Sequence, residues 1–207
     1  MNAPIIAAAS AAGGCRAEHP GDVYGRAMSF GRGEWVFVDE SKAHGYYIAA
    51  AAVARGDIAG IEKRLRALRM GNRSSLHFHS EGNRRAKLLH EFCQMDVRAT
   101  VYVMRGYKDR VARPALLRAL VGDMVANGAQ HLVLERDESV ETWDRRMIRE
   151  RLDAVGGLGQ LAYEHKNRND QPMLWLADAV AWCYQKGNPW KAKVQPIVSE
   201  VITVDQP

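Results

Sequence analysis

Residues Met173 to Tyr184 read MLWLADAVAWCY, twelve positions with a single charge, Asp178. A helix that is apolar on almost every side is packed on most of its surface, so the rest of the chain has to fold around it. At ~100° per residue, Asp178 projects between Leu174 and Trp182, its i−4 and i+4 neighbours. A carboxylate there must be neutralised, hydrogen-bonded or bound to a cation, because burying an unpaired charge costs several kcal/mol or more. A salt bridge to a buried arginine, or a gap in the packing, meets that need as well as a metal ion does.

The chain is long enough to enclose such a helix: 207 residues, 47% of them hydrophobic, suit one globular domain. Nothing approaches the ~20 consecutive apolar residues of a membrane span. A net charge of +5 permits a polyanionic partner without demanding one. The three cysteines, Cys15, Cys93 and Cys183, are widely spaced and odd in number, which implies no disulfide framework and points to a reducing cytoplasm. The opening MNAPIIAAASAAGGC has a superficial likeness to a lipoprotein signal, but no Lys or Arg precedes its short, alanine-rich run. Residues 1–28 are expected to be a flexible leader, with Met28 a candidate start, and residues 29–207 a single domain.

Patterning becomes clear after Met28. EWVFVDE at 34–40 and GYYIAAAAV at 45–53 predict a hairpin. Ile58, Ile61, Leu65 and Leu68 recur at helical spacing behind Asp57, a candidate N-cap. SSLHFHSEG at 74–82 suggests a strand or irregular loop, and a helix over about 83–94 buries Leu88, Leu89 and Phe92. VRATVYVM at 97–104 is a predicted strand, and 111–127 a helix ended by Gly128. HLVLERDES at 131–139 reads as a buried strand opening into acids. A helix over 141–154 carries Trp143, Met147 and Leu152, and Gly156 and Gly157 break it. LAYEH at 161–165 is a further strand, the apolar helix follows, and a last strand lies near 194–204. Strands alternating with helices after a hairpin indicate an α/β domain with a mixed sheet.

Acids recur where this pattern could gather them. Asp39 and Glu40 end a hydrophobic strand and point to opposite faces of the sheet. Glu135, Asp137 and Glu138 repeat that arrangement; Glu135 and Asp137 share a face if the strand continues so far. His77, His79 and Glu81 alternate along LHFHSEG, without a partner motif of zinc spacing elsewhere. Taken singly, each is most simply a solvated strand end or a structural histidine. Converging at one sheet edge, the carboxylates would repel unless a divalent cation bound them. Hard oxygen ligands select Mg²⁺ or Mn²⁺.

The strand-borne Asp39-Glu40-Ser41, the GYYIAAAAV hairpin, the LHF element with Glu81 and the LADAVAW helix occur in that order. The chain resembles, over roughly residues 34 to 188, the domain-of-unknown-function 3800 family of bacterial and phage proteins, which belongs to the ribonuclease-H-like superfamily. The resemblance implies a ribonuclease-H-like mixed β-sheet flanked by helices, with acids that bind Mg²⁺ or Mn²⁺. It makes Asp39 the bridging first-strand ligand, Glu81 the second, Glu135 the acid of the later strand and Asp178 that of the C-terminal helix. Lys42 stands where many members have glycine, and VRATVYVM carries no acid, so Asp137 rivals Glu135.

The expected function is a divalent-metal-dependent nuclease that hydrolyses phosphodiesters of DNA or RNA with a metal-activated water. Arg84, Arg85, Lys87, Lys166 and Arg168 are candidates for holding phosphates, and His79 or His165 for proton transfer. The same basic residues would also suit the solvated face of a helix. A non-catalytic scaffold or nucleic-acid-binding module of the same fold predicts instead that the acids are scattered or paired with arginines. An enzyme of small phosphorylated molecules predicts a narrow, enclosed pocket.

Overall fold

Apolar β-branched and aromatic residues alternate at the start of the patterned region, and they form strand β1 (Trp35–Ser41). In the computed structural model, which describes residues 29–206, β1 turns into β2 (Tyr46–Val53). The turn ends on Gly45, whose φ of +129° is a conformation open essentially to glycine alone. Helix α1 (Ile58–Ala67) follows; Asp57 stands at its N-cap position but its side chain makes no capping hydrogen bond. Then come α2 (Arg85–Phe92), β3 (Arg98–Met104), α3 (Asp109–Asn127), β4 (His131–Glu135), α4 (Glu141–Ala154), β5 (Ala162–Lys166), α5 (Met173–Lys186), the short α6 (Trp190–Val194) and β6 (Val198–Thr203).

The six strands form one sheet in the order β5-β4-β1-β2-β3-β6. β1, β2 and β3 are an antiparallel meander, with Asp39 opposite Ala49. β4 runs parallel to β1, β5 to β4, and β6 to β3. This is the α/β mixed sheet flanked by helices that was expected. None of its described helices is long and apolar enough to cross a membrane.

Because successive side chains point to opposite faces, the sheet separates two cores. On one face Phe37, Ala49, Ala51, Val101 and Val133 pack with α1, α2 and α5. On the other, Val36, Val38, Ile48, Tyr102 and Leu134 pack with α3 and α4. Every residue of α5 from Met173 to Tyr184 is buried, as its composition required, and it lies across β1 and β2. Ala49 and Ala51 give that helix its close approach: methyl groups occupy the centre of the sheet where larger side chains would hold it off.

The glycines read as helix stops act as such. Gly128 adopts a left-handed φ of +75°, and the N–H groups of Gly128 and Ala129 satisfy the last carbonyls of α3. Gly156 does the same for α4, while Gly157 is there for space: a Cβ would come within 2.7 Å of a Val125 methyl. Gly157→Ala is therefore expected to destabilise the fold by about 1–3 kcal/mol through overpacking. A urea midpoint equal to wild type would show that Val125 yields without cost.

Three expectations need correction. The segment 74–82 is neither strand nor loop throughout, because Phe78–Arg84 winds into a 3₁₀ helix whose Phe78 anchors in the α5 core. The strand expected near 194–204 begins only at Val198, since α6 and a short 3₁₀ turn (Gln195–Ile197) take up its first residues. β4 stops at Glu135, so Asp137 does not continue its alternation. The leader over 1–28 lies outside the described residues.

Candidate functional site

Strand parity decides which acids can meet. Asp39 shares the face of Phe37 and Glu135 that of Val133, so both turn toward α5 at the C-terminal ends of adjacent parallel strands. Helix α5 crosses there and contributes Asp178. Asp39 is 8% exposed and Asp178 7%; Glu135 is half-buried. A cleft of about 490 Å³ opens at the same edge but toward α3; Asp39, Glu40, Arg113, Glu135 and Asp137 are among its lining residues, and neither Asp178 nor Arg168 is.

The three carboxylates converge on one guanidinium. Arg168, on the loop between β5 and α5, donates from Nε to Glu135 at 2.6 Å and also from Nη2 to the second Glu135 oxygen. Its Nη2 lies 3.4 Å from Asp39 Oδ2 and its Nη1 3.5 Å from Asp178 Oδ2. The loop is pinned from below: the Trp175 indole N–H donates to the Arg168 carbonyl at 2.8 Å. Asp178 Oδ2 also accepts the Phe78 backbone N–H at 2.9 Å and lies 3.2 Å from His77 Nδ1, which contacts Arg168 as well.

Three carboxylates against one guanidinium leave a formal charge of −2. The consequences show in both partners. Burial, followed by the charges of Asp178 and Glu135, pushes the Asp39 carboxyl well above the ordinary aspartate value, although Arg168 pulls it down. Burial works against the Arg168 charge, but hydrogen bonds to Glu135 and the surrounding acids outweigh it and hold the guanidinium protonated more firmly than usual. One cation does not balance this site.

The remaining candidates go elsewhere. Glu81 is buried between Arg73, at 3.1 Å, and Arg84, which also donates to the Leu68 carbonyl. Asp137 is exposed and accepts hydrogen bonds from Ser139, which hold its carboxyl below the ordinary range. Arg85 donates to the carbonyls of Phe78 and His79 and lies 4.7 Å from the Trp182 ring centre. Lys166 pairs with Glu164 at 3.1 Å. Among the described residues, no three His, Cys, Asp or Glu side chains stand close enough together to hold a metal ion as the site is arranged.

Behind the sheet lies a second polar group that the sequence did not announce. Glu40, on the opposite face from Asp39, pairs with Arg113 of α3. Arg113 forms a two-pronged contact with Asp144 of α4, at 2.9 and 2.7 Å, and donates to the Tyr46 hydroxyl at 3.0 Å. His165 Nε2 lies 3.4 Å from Asp144, while its buried Nδ1 has no hydrogen-bond partner among the described residues. His165 therefore faces away from the three acids and toward this network. A visible signal existed: Arg113 breaks the apolar face of α3 one turn before Leu116 and Leu117.

No family model matches the chain, and no curated protein matches it. Among solved structures it is similar to the PCNA:RNase HII complex from Archaeoglobus fulgidus, at 12% identity, covering 75% of this chain and 73% of that one, with a TM-score of 0.45. That likeness concerns the course of the backbone and carries nothing about the site.

Proposed function

We propose that Asp39, Glu135 and Asp178 are the metal-binding acids of a divalent-metal-dependent nuclease. The observation that carries this reading is the unbalanced charge: three carboxylates from β1, β4 and α5 meet at the edge of the sheet with a single guanidinium among them. The donors are all carboxylate oxygens, the ligand chemistry of Mg²⁺ or Mn²⁺. Arg168 pairs with all three acids, so it would have to move aside for an ion to bind them. A bound ion would supply an activated water and charge stabilisation for phosphodiester hydrolysis. The protein's part is to hold Asp39 and Glu135 on adjacent strands, fix Asp178 through the Phe78 N–H, and free Arg168 to contact a phosphate. Glu81, held by two arginines, is left out of this ligand set.

We further read the chain as a member of the domain-of-unknown-function 3800 family, acting on nucleic acid in the cytoplasm as one domain over 29–207. A second reading has its own support. A scaffold of this fold requires acids paired with arginines, and both Arg168 and the Arg73–Glu81–Arg84 group fit it.

Thermal unfolding with and without Mn²⁺ separates the two. The nuclease reading expects Mn²⁺ to raise the wild-type Tm while leaving Asp39→Asn and Asp178→Asn unchanged. It also expects Mn²⁺-dependent cleavage of single-stranded oligonucleotides that falls at least about 10²-fold in either variant. No Mn²⁺ response in the wild type, with Asp178→Asn destabilising, would leave the scaffold reading in its place.

A further inference from the structure

A second cleft of about 490 Å³ lies on the α5 face of the sheet, beside the C-terminal end of α5. Tyr47, Arg105, Tyr184, Gln185, Asn188 and Lys191 are among its lining residues, and none of the lining residues is acidic. Arg105 and Lys191 are exposed and make no ion pair among the described residues. Each is propped on a buried tyrosine. The Arg105 guanidinium stands 5.7 Å from the Tyr47 ring centre and donates to its hydroxyl at 3.3 Å; the Lys191 ammonium stands 5.1 Å from the Tyr184 ring centre. Tyr184 is itself tied through its hydroxyl to Gln195. Rings fixed in this way hold both cations toward the cleft without neutralising them.

The cleft is joined to the acids. Tyr47 pairs with Ser41 across the hairpin, and Ser41 lies two residues beyond Asp39 on the same face, about 7 Å along the strand. Ser41 Oγ donates to Gln185 at 3.3 Å, and Gln185 lines the cleft. From the acid side, Asp178, Trp182 and Lys186 follow at i, i+4 and i+8 on one face of α5. The Trp182 ring carries both Arg85, at 4.7 Å, and Lys186, at 6.0 Å. The same device of a buried ring beneath an exposed cation thus repeats along the path that leads away from the acids.

We infer that this cleft is a backbone subsite for a single nucleic-acid strand, in which Arg105 and Lys191 take the phosphates next to the one held at the acid cluster. Several cationic anchors spread outward from one reactive point suit a repeating anion rather than a lone phosphate. The inference rests on the nuclease reading for its substrate, but its test needs no cleavage. Binding of a short fluorescein-labelled single-stranded RNA, and of the matching DNA, is followed by anisotropy in EDTA over a series of KCl concentrations. The double variant Arg105→Gln/Lys191→Gln is expected to bind about tenfold or more weakly, with a salt slope shallower by ~1.4, as loss of two phosphate contacts requires. The charge-keeping pair Arg105→Lys/Lys191→Arg restores the slope. Arg146→Gln, an exposed change on α4, leaves affinity and slope unchanged. Identical slopes for wild type and double variant, or displacement of the strand by equimolar inorganic phosphate, overturn the subsite, as does failure of the wild type to bind. Dependence on Arg105 and Lys191 without any Mn²⁺-dependent cleavage would retain the subsite and sink the nuclease reading. Cleavage with insensitive binding would do the reverse.

Discussion

Arg168→Gln is expected to lower the metal-free melting temperature by on the order of 10 °C, and Mn²⁺ is expected to recover most of that loss. Among the described residues, Arg168 is the one arginine or lysine paired with Asp39, Glu135 and Asp178. Its removal leaves three carboxylates facing one another at a largely buried edge, which costs about 3–5 kcal/mol when a partnered buried charge loses its counterion. A divalent ion that binds only the folded state returns stability as its concentration exceeds its dissociation constant. The variant has no guanidinium to displace, so its Mn²⁺ shift should exceed that of wild type. The measurement is a pair of Mn²⁺ titrations by differential scanning calorimetry. A large metal-free loss with no greater Mn²⁺ response than wild type means that Arg168 is the permanent counterion and that the acids form a structural ion-pair group.

The second large effect lies on the opposite face. Arg113→Met removes the cation shared by Glu40 and Asp144 and leaves Asp144, which is fully buried, facing His165 alone. The expected loss at neutral pH is again about 3–5 kcal/mol, read from urea denaturation. The pH dependence gives a separate check. Burial alone would raise the Asp144 carboxyl, but hydrogen bonds from Arg113 and His165 outweigh it and hold it below the ordinary aspartate value. A depressed folded pKa contributes stability that is complete above the unfolded value, near pH 4, and is lost as pH falls through the folded one. Wild type should therefore lose this increment below about pH 4, and Arg113→Met should show a shallower fall over the same window. Parallel acid profiles would mean that Asp144 is not held by Arg113 in solution.

Both arginines show where sequence reasoning stops. The strands and the longer helices were legible because periodicity is local: the alternation of WVFVDE and the burial of every side of MLWLADAVAWCY need no knowledge of distant residues. The parity of Asp39 and Glu40 was equally local, and the structure separates them as alternation requires. Glu135 was distinguished from Asp137 only by where β4 ends, which the parallel pairing with β5 and β1 decides. Arg168 was visible as a basic residue between a strand and the acidic helix, yet nothing in its neighbourhood says that it turns inward toward acids 129 and 33 positions away. Arg113 and Asp144 are separated by 31 residues and meet only once α3 packs on α4. His77 was singled out for spacing that suggested a metal, and the 3₁₀ winding of Phe78–Arg84 broke that alternation and brought it to Asp178 instead.

The burial of α5 has a consequence for how the protein is made. The hairpin β1–β2 leaves the ribosome with the face that α5 will cover still bare, and α5 ends some 130 residues after β2 does. At typical elongation rates that interval is on the order of ten seconds. Throughout it, Phe37, Ala49 and Ala51 form an unroofed apolar surface on a nascent chain. Truncation before Met173 would make that state permanent, and a message that stalls there would release a product suited to chaperone capture rather than folding. Of the long helices described, the one furthest along the chain is the one that closes the core.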